Sequence, residues 1–196
     1  MTIEVSRLTG ADVAAVVDDL ARLRIEIFRA WPYLYDGSYD YERAYFANFI
    51  ASHGAIVVVA RDGDQIVGAA TAAPMGQHAD AFADPFETLG YDISCLFYLG
   101  ESVLLPDYRR RGVGHTFFDH REAHARELGG FTHATFCAVV RPTDHPACPP
   151  DYRPLDAFWR KRDYAPAPGI VGSFTWRDVG DAEETAKPMQ YWMKAL

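Results

Sequence analysis

Val103-Leu104-Leu105-Pro106-Asp107-Tyr108-Arg109-Arg110-Arg111-Gly112-Val113-Gly114 carries an apolar run into a proline and then into an arginine-rich turn with two glycines. Residues 93–105 read as a strand stopped by Pro106. After Gly114 a helix is expected as far as Leu128, with Phe117, Phe118, Ala125 and Leu128 inward. Such a turn between strand and helix suits a diphosphate. The anion needs several converging N–H donors, and a helix N-terminus supplies them with a favourable dipole potential. Gly112 and Gly114 have no side chain to hold the backbone off the phosphate. Arg109, Arg110 and Arg111 add positive charge. A dinucleotide turn would need a third glycine and a later ribose-binding acid, and a Walker loop would need Gly-Lys before Ser or Thr; these are missing. On spacing alone, a solvated basic turn is the competing reading.

Outward from that segment, the chain alternates strand and helix. Residues 2–8 alternate as a short strand. Thr9, three residues before Asp12, resembles a capping box, and Val13, Val16, Val17, Leu20, Leu23 and Ile27 follow at helical spacing up to Trp31-Pro32. A second helix is expected over residues 40–51. Asp62-Gly63-Asp64 between the apolar runs 55–61 and 65–73 predicts a hairpin, because Asp-Gly supplies the positive φ of a tight turn. A short helix around 80–89 precedes the long apolar strand. After Gly129-Gly130 come a strand over 133–140, a proline-rich loop over 141–154, a short helix over 155–162, and closing strands over 171–176 and 189–194. The order predicts a mixed α/β (α+β) fold: one twisted mixed sheet of six to seven strands with helices on both faces.

The 196 residues fit a single domain, 1–196, and 49% hydrophobic content suffices for a core. The formal net charge of −8 argues against nucleic acid as a partner. Three cysteines without a C-x-x-C pair argue against a disulfide framework or zinc site. With no signal-peptide pattern and no apolar run long enough for a membrane span, a cytoplasmic protein without membrane contact is expected. His120 and His124 stand at i, i+4, but the intervening residues are not those of H-E-x-x-H, so no metal is expected.

The quoted segment resembles the signature of the GNAT superfamily of N-acetyltransferases, Q/R-x-x-G-x-G/A after a strand. Ala157-Phe158-Trp159-Arg160-Lys161-Arg162-Asp163-Tyr164 is similar to that family's A-x-F-Y-x-x-x-G-F helix end, and the element order matches over nearly the whole chain. The resemblance implies acetyl-CoA as cosubstrate, lying where the strand ending at Leu105 splays from the strand at 133–140. It assigns the pantetheine arm and thioester to the backbone of Val103, Leu104 and Leu105. The pyrophosphate falls to the turn from Arg109 through Arg110, Arg111, Gly112, Val113 and Gly114 to His115. The family's tyrosine falls on Trp159, whose indole is a donor but no usable acid, and its glycine falls on Asp163.

Transfer of an acetyl group to an amine needs a base, because the amine must attack neutral. Glu101, a carboxylate in the apolar strand before the turn, is the candidate. A backbone N–H near Leu104 is the candidate for the oxyanion. Phe28, Tyr33, Tyr35 and His145 are candidates for the acceptor site, with core packing the competing role for the aromatics. The expected function is N-acetyltransfer to a small amine. Transfer to a protein or peptide amine, and a non-catalytic acyl-CoA sensor, remain alternatives, and a homodimer stays open.

Overall fold

The computed structural model describes residues 3–77 and 80–196. A seven-stranded sheet runs in the order β1-β2-β3-β4-β5-β7-β6. Its strands are β1 (Glu4–Leu8), β2 (Ile56–Asp62), β3 (Gln65–Pro74), β4 (Leu96–Leu104), β5 (His133–Val139), β6 (Ala165–Arg177) and β7 (Glu184–Ala195). The helices are α1 (Ala11–Ala14), α2 (Val17–Phe28), α3 (Tyr39–Ala51), α4 (Asp80–Glu87), α5 (Val113–Leu128) and α6 (Asp156–Arg160). This is the mixed fold expected, with strand number at the upper end of the expected range.

The period of two along β2 explains the layering. Ile56, Val58 and Ala60 face the core beneath α5, with Phe117, Phe118 and Phe136. Val57 and Val59 face the opposite core, with Leu20, Leu23, Phe46 and Phe49 from α2 and α3. Both faces are covered, so the strand reads as an unbroken β-branched run. Among the described residues, no helix is long and apolar enough to cross a membrane.

Two features of β4 position the site. It pairs with β5 in parallel only at Leu96↔His133, Phe97↔Ala134 and Tyr98↔Thr135. Beyond Tyr98, β4 continues to Leu104 while β5 stays with β7, so the sheet opens into the expected splay. On its other side the register slips: Ala70 faces Ser102 but Ala72 faces Leu99, so Gly100 and Glu101 together oppose Thr71. Such a bulge bends the strand and re-aims a side chain. Gly100 permits it, because a Cβ there would collide with Thr71 Oγ1.

Several boundaries differ from the sequence expectation. The first helix is broken between α1 and α2, where Val16 has φ −120° and ψ 8°. Its start is not a capping box: Gly10 at φ 52° precedes α1, and Asp12 N–H donates to the Thr9 carbonyl rather than to its side chain. β4 starts at Leu96 because Asp92 holds residues Ile93–Cys95 in a 3-10 turn by accepting from Ser94 N–H at 2.9 Å. β6 and β7 are longer than expected. β6 is the sheet edge, where Pro166 and Pro168 need no ladder donor on the outer side. The start of the first expected strand, Thr2, lies outside the described residues.

Candidate active site

The arginine-rich turn leaves backbone N–H groups free at the start of α5. Arg110 has φ 62° and Gly112 φ 84°, and Gly112 caps α5. The Gly112 carbonyl accepts from His115 and Thr116 N–H at 2.9 and 3.2 Å. The N–H groups of Val113 and Gly114 are left over by helix geometry. Among the described residues, those of Arg110, Arg111 and Gly112 find no carbonyl either. A Cβ on Gly112 would meet nothing within 4 Å and would stand in the open concavity. A diphosphate therefore fits the turn. Gly114 faces elsewhere: its Cβ would stand 3.4 Å from the Phe158 ring, in ordinary contact with α6. The arginines are divided in their tasks. Arg109 Nε donates to the Leu104 carbonyl at 3.2 Å, Arg111 lies over the Tyr108 ring, and Arg110 is exposed.

The second sequence motif docks on the first. Arg162 donates to Asp119 Oδ1 at 2.6 Å and to the His115 carbonyl at 3.3 Å. Asp163 takes φ 68°, the left-handed conformation the helix end requires of it. Trp159 packs against Phe136 and Trp192 at centroid distances of 5.1 and 5.0 Å. The neighbouring tyrosines are structural. Tyr164 is buried and donates to Glu122 Oε1 at 3.1 Å, and Tyr152 meets Trp31 edge-on.

The strand edge at the splay is available to an acyl group. Leu105 N–H donates to the Val67 carbonyl at 2.9 Å. Alternation in the ladder then turns Leu104 N–H to the other side of β4, into the cleft. Arg121, which sequence reasoning missed, ties this strand to the helix of the phosphate turn. It is fully buried on α5 and donates to Ser102 Oγ at 2.9 Å, to the Thr71 carbonyl at 3.2 Å and to the Glu101 carbonyl at 3.4 Å. Burial pulls its guanidinium down to about 10. An arginine one residue past His120 on an amphipathic helix looks solvated in sequence, and only its packing reveals the staple.

On the far side of the bulge lies a cavity of about 390 Å³. Phe28, Tyr33 and Tyr35 line it, as do Tyr41 and Tyr45 from α3, Glu101 from the bulge, and Phe174 and Trp176 from β6. His145 does not line it: its ring lies against Trp31 at 4.9 Å, and its Nδ1 accepts from Ala147 N–H. Nor does the loop over residues 141–154 line the cavity; the wall opposite the aromatic segment is β6. Arg141, at the start of that loop, acts from outside. It grips Asp178 at 2.6 and 2.9 Å and donates to the carbonyls of Pro32 and Tyr33, so it clasps the β6–β7 hairpin to the aromatic segment.

The charged heart of the cavity is Glu101 with Arg24. Arg24 Nη1 is 2.7 Å from Glu101 Oε2, and Tyr45 Oη donates to the same oxygen at 3.2 Å. Arg24 Nε donates to buried Glu42. Burial works against the Arg24 charge, but Glu101 and then Tyr45 and Glu42 outweigh it and hold the guanidinium above its usual range. Glu101 Oε1 is buried and, among the described residues, has no hydrogen-bond partner. Tyr33 and Tyr45 are pushed up, chiefly by burial, and stay neutral donors. Cys137, also in the lining, is pushed up to about 12 by burial and contacts Tyr98 Oη at 3.1 Å, so it is a thiol rather than a nucleophile. Arg24, Tyr45 and Phe174 were not among the sequence candidates. Arg24 lies within an ordinary amphipathic helix pattern, and nothing local marks it.

Residues 19–149 match the family model described as Acetyltransferase (GNAT) family. No curated protein matches the chain in sequence. Solved structures share its fold. A ribosomal-protein-alanine N-acetyltransferase from Brucella melitensis has TM-score 0.61 at 15% identity, covering 98% of this chain and 99% of its own. NAA60 from Arabidopsis thaliana, solved with a bisubstrate analogue, has TM-score 0.62 at 12% identity, covering 99% and 98%. The PaiA N-acetyltransferase of Thermoplasma acidophilum, solved with coenzyme A, has TM-score 0.59 at 13% identity, covering all of both chains.

Proposed function

The chain belongs to the GNAT acetyltransferase family, and from that premise we propose that it moves an acetyl group from acetyl-CoA to the amine of a small acceptor. The observation that carries this reading is Glu101. Its Oε1, without a hydrogen-bond partner among the described residues, stands on a β4 bulge, between a cavity rich in aromatic side chains and the splay that leads to the glycine turn.

When bound, acetyl-CoA supplies the activated acyl carbon and a thiolate leaving group. The N–H groups of Arg110 to Gly114, with the exposed Arg110 side chain beside them, would hold the pyrophosphate, while Leu104 N–H would be available to the acyl oxygen and to charge developing there. Glu101 binds the acceptor's ammonium, takes its proton, and leaves a neutral nitrogen to form the new bond to carbon as the carbon–sulfur bond breaks. No acid is assigned to sulfur: Trp159 is no proton donor of useful pKa, and a thiol near 8.5 is a fair leaving group on its own. Cytoplasmic location fits the acidic charge and unpaired cysteines.

The Brucella neighbour's name states a protein acceptor, and a chain terminus inserted into the same cavity is the second reading. Thiol release from acetyl-CoA, followed with small amines and with short peptides in parallel, decides between them. Turnover of small amines at rates far above those of peptides supports the proposal, and peptide-only turnover refutes it.

A further inference from the structure

We infer that the acceptor is a monoamine carrying an aromatic or similarly bulky apolar group, an inference that rests on the small-amine reading of the same cavity. The first argument is charge. Among the described lining residues only Arg24 and Glu101 are charged, and Glu42 sits behind Arg24, fully buried. Two carboxylates against one guanidinium leave a single negative charge in a low-dielectric pocket. One ammonium neutralises it and gives Glu101 Oε1 its missing hydrogen bond. A second ammonium on the same ligand would find no second carboxylate and would lose its hydration without return.

The second argument is surface. Phe174 lies against Phe82 at 4.5 Å, and Phe82 in turn meets Tyr98 edge-on at 5.1 Å. Tyr33 lies against Phe28 at 4.5 Å and against Trp176 at 6.1 Å. Both groups of rings belong to the wall of the cavity that Glu101 also lines. A short amine would leave that wall bare, whereas a ring one or two carbons from the nitrogen would cover it. The third argument is size. About 390 Å³ is toward the small end of the roughly 300–1,000 Å³ of ligand sites, enough for one ring and its arm.

The test is steady-state acetyl transfer by the full chain with 2-phenylethylamine, ethylamine and 1,4-diaminobutane. We expect kcat/KM for 2-phenylethylamine to exceed that for ethylamine by about a hundredfold or more, since each well-packed methylene can contribute about tenfold. The diamine should do no better than ethylamine. Phe174→Ala, and Tyr41→Ala at a more exposed position of the lining, should contract the phenylethylamine-to-ethylamine ratio by about tenfold. A diamine or ethylamine ahead of the aryl amine overturns this inference and leaves the small-amine reading standing. Peptide acetylation with all three amines inert overturns both. If no acceptor is turned over, calorimetric binding of 2-phenylethylamine to the CoA-loaded protein decides: binding weakened by Phe174→Ala supports the inference, and absence of binding overturns it.

Discussion

Glu101 gives one oxygen to Arg24 and Tyr45, and among the described residues the other has no hydrogen-bond partner, which leaves it open to the proposed acceptor. This division makes the Gln variant informative. Glu101→Gln keeps the side-chain shape, and Arg24 retains Glu42 as counter-charge, so no buried charge is stranded. We expect kcat to fall about a hundredfold, the usual scale of general-base assistance. Full kcat in Glu101→Gln would move the base to another group. At Gly112 the constraint is on the backbone. With φ 84° and an open concavity where a Cβ would stand, Gly112→Ala strains the turn and crowds the anion. Titration calorimetry should show CoA binding weakened by about 2–4 kcal/mol, the worth of one or two charge-assisted hydrogen bonds. The same change at Gly114 puts its Cβ in ordinary contact with the Phe158 ring and should weaken CoA binding far less.

At the scale of elements, the cavity depends on a clasp between distant segments. Arg141 and Lys187 converge on Asp178 and hold the β6–β7 hairpin against the residues around Tyr33. Burial works to raise the Asp178 pKa, but the hydrogen bonds and charge of Arg141, and then of Lys187, outweigh it and hold the carboxyl below its usual range. The sign follows. A depressed folded-state pKa stabilises the fold above the unfolded value, about 3.9 for Asp, and that contribution is lost as pH falls through the folded value. Asp178→Asn should therefore lower stability at neutral pH and flatten its dependence on pH below about 4. Denaturant melts from pH 7 to pH 2 measure this; parallel curves for the two proteins would show that the clasp carries no such linkage. Because the clasp shapes the acceptor wall, the variant should also raise acceptor KM more than it lowers kcat.

The whole molecule is a sheet sealed at one end of the β4–β5 seam and open at the other. α5 carries the glycine turn at its N-terminus and, through buried Arg121, grips β4 at the bulge, so the proposed cosubstrate and acceptor sites share one frame. Acetyl-CoA laid into the open seam would cross-brace the two halves. At a hundred times its Kd it should add about 2.7 kcal/mol of stability. For a chain of this size that corresponds to roughly 2–4 °C in Tm per kcal/mol. Scanning calorimetry should show the rise, and hydrogen exchange should slow most at Ser102 to Leu105 and at the turn. An unchanged Tm at that saturation would mean that the cosubstrate does not bind the native state.

The strand–turn–helix unit, the hairpin at Asp62-Gly63-Asp64 and the order of elements were determined by the sequence alone. Each rests on local chemistry: an apolar period, a proline stop, a glycine that tolerates positive φ. The same locality marked the turn proposed for CoA and made Asp163 readable as a left-handed helix end, which its φ of 68° bears out. The capping of α1, the break at Val16 and the reach of β6 and β7 were not readable, because they depend on what the chain packs against. Nor could the sequence bring Arg24, Glu42, Tyr45 and Glu101 together, or send Arg121 into the core, or set His145 outside the cavity. Those relations join residues far apart in the chain. Their energies come from burial and charge pairing, which exist only once the helices have closed over the sheet.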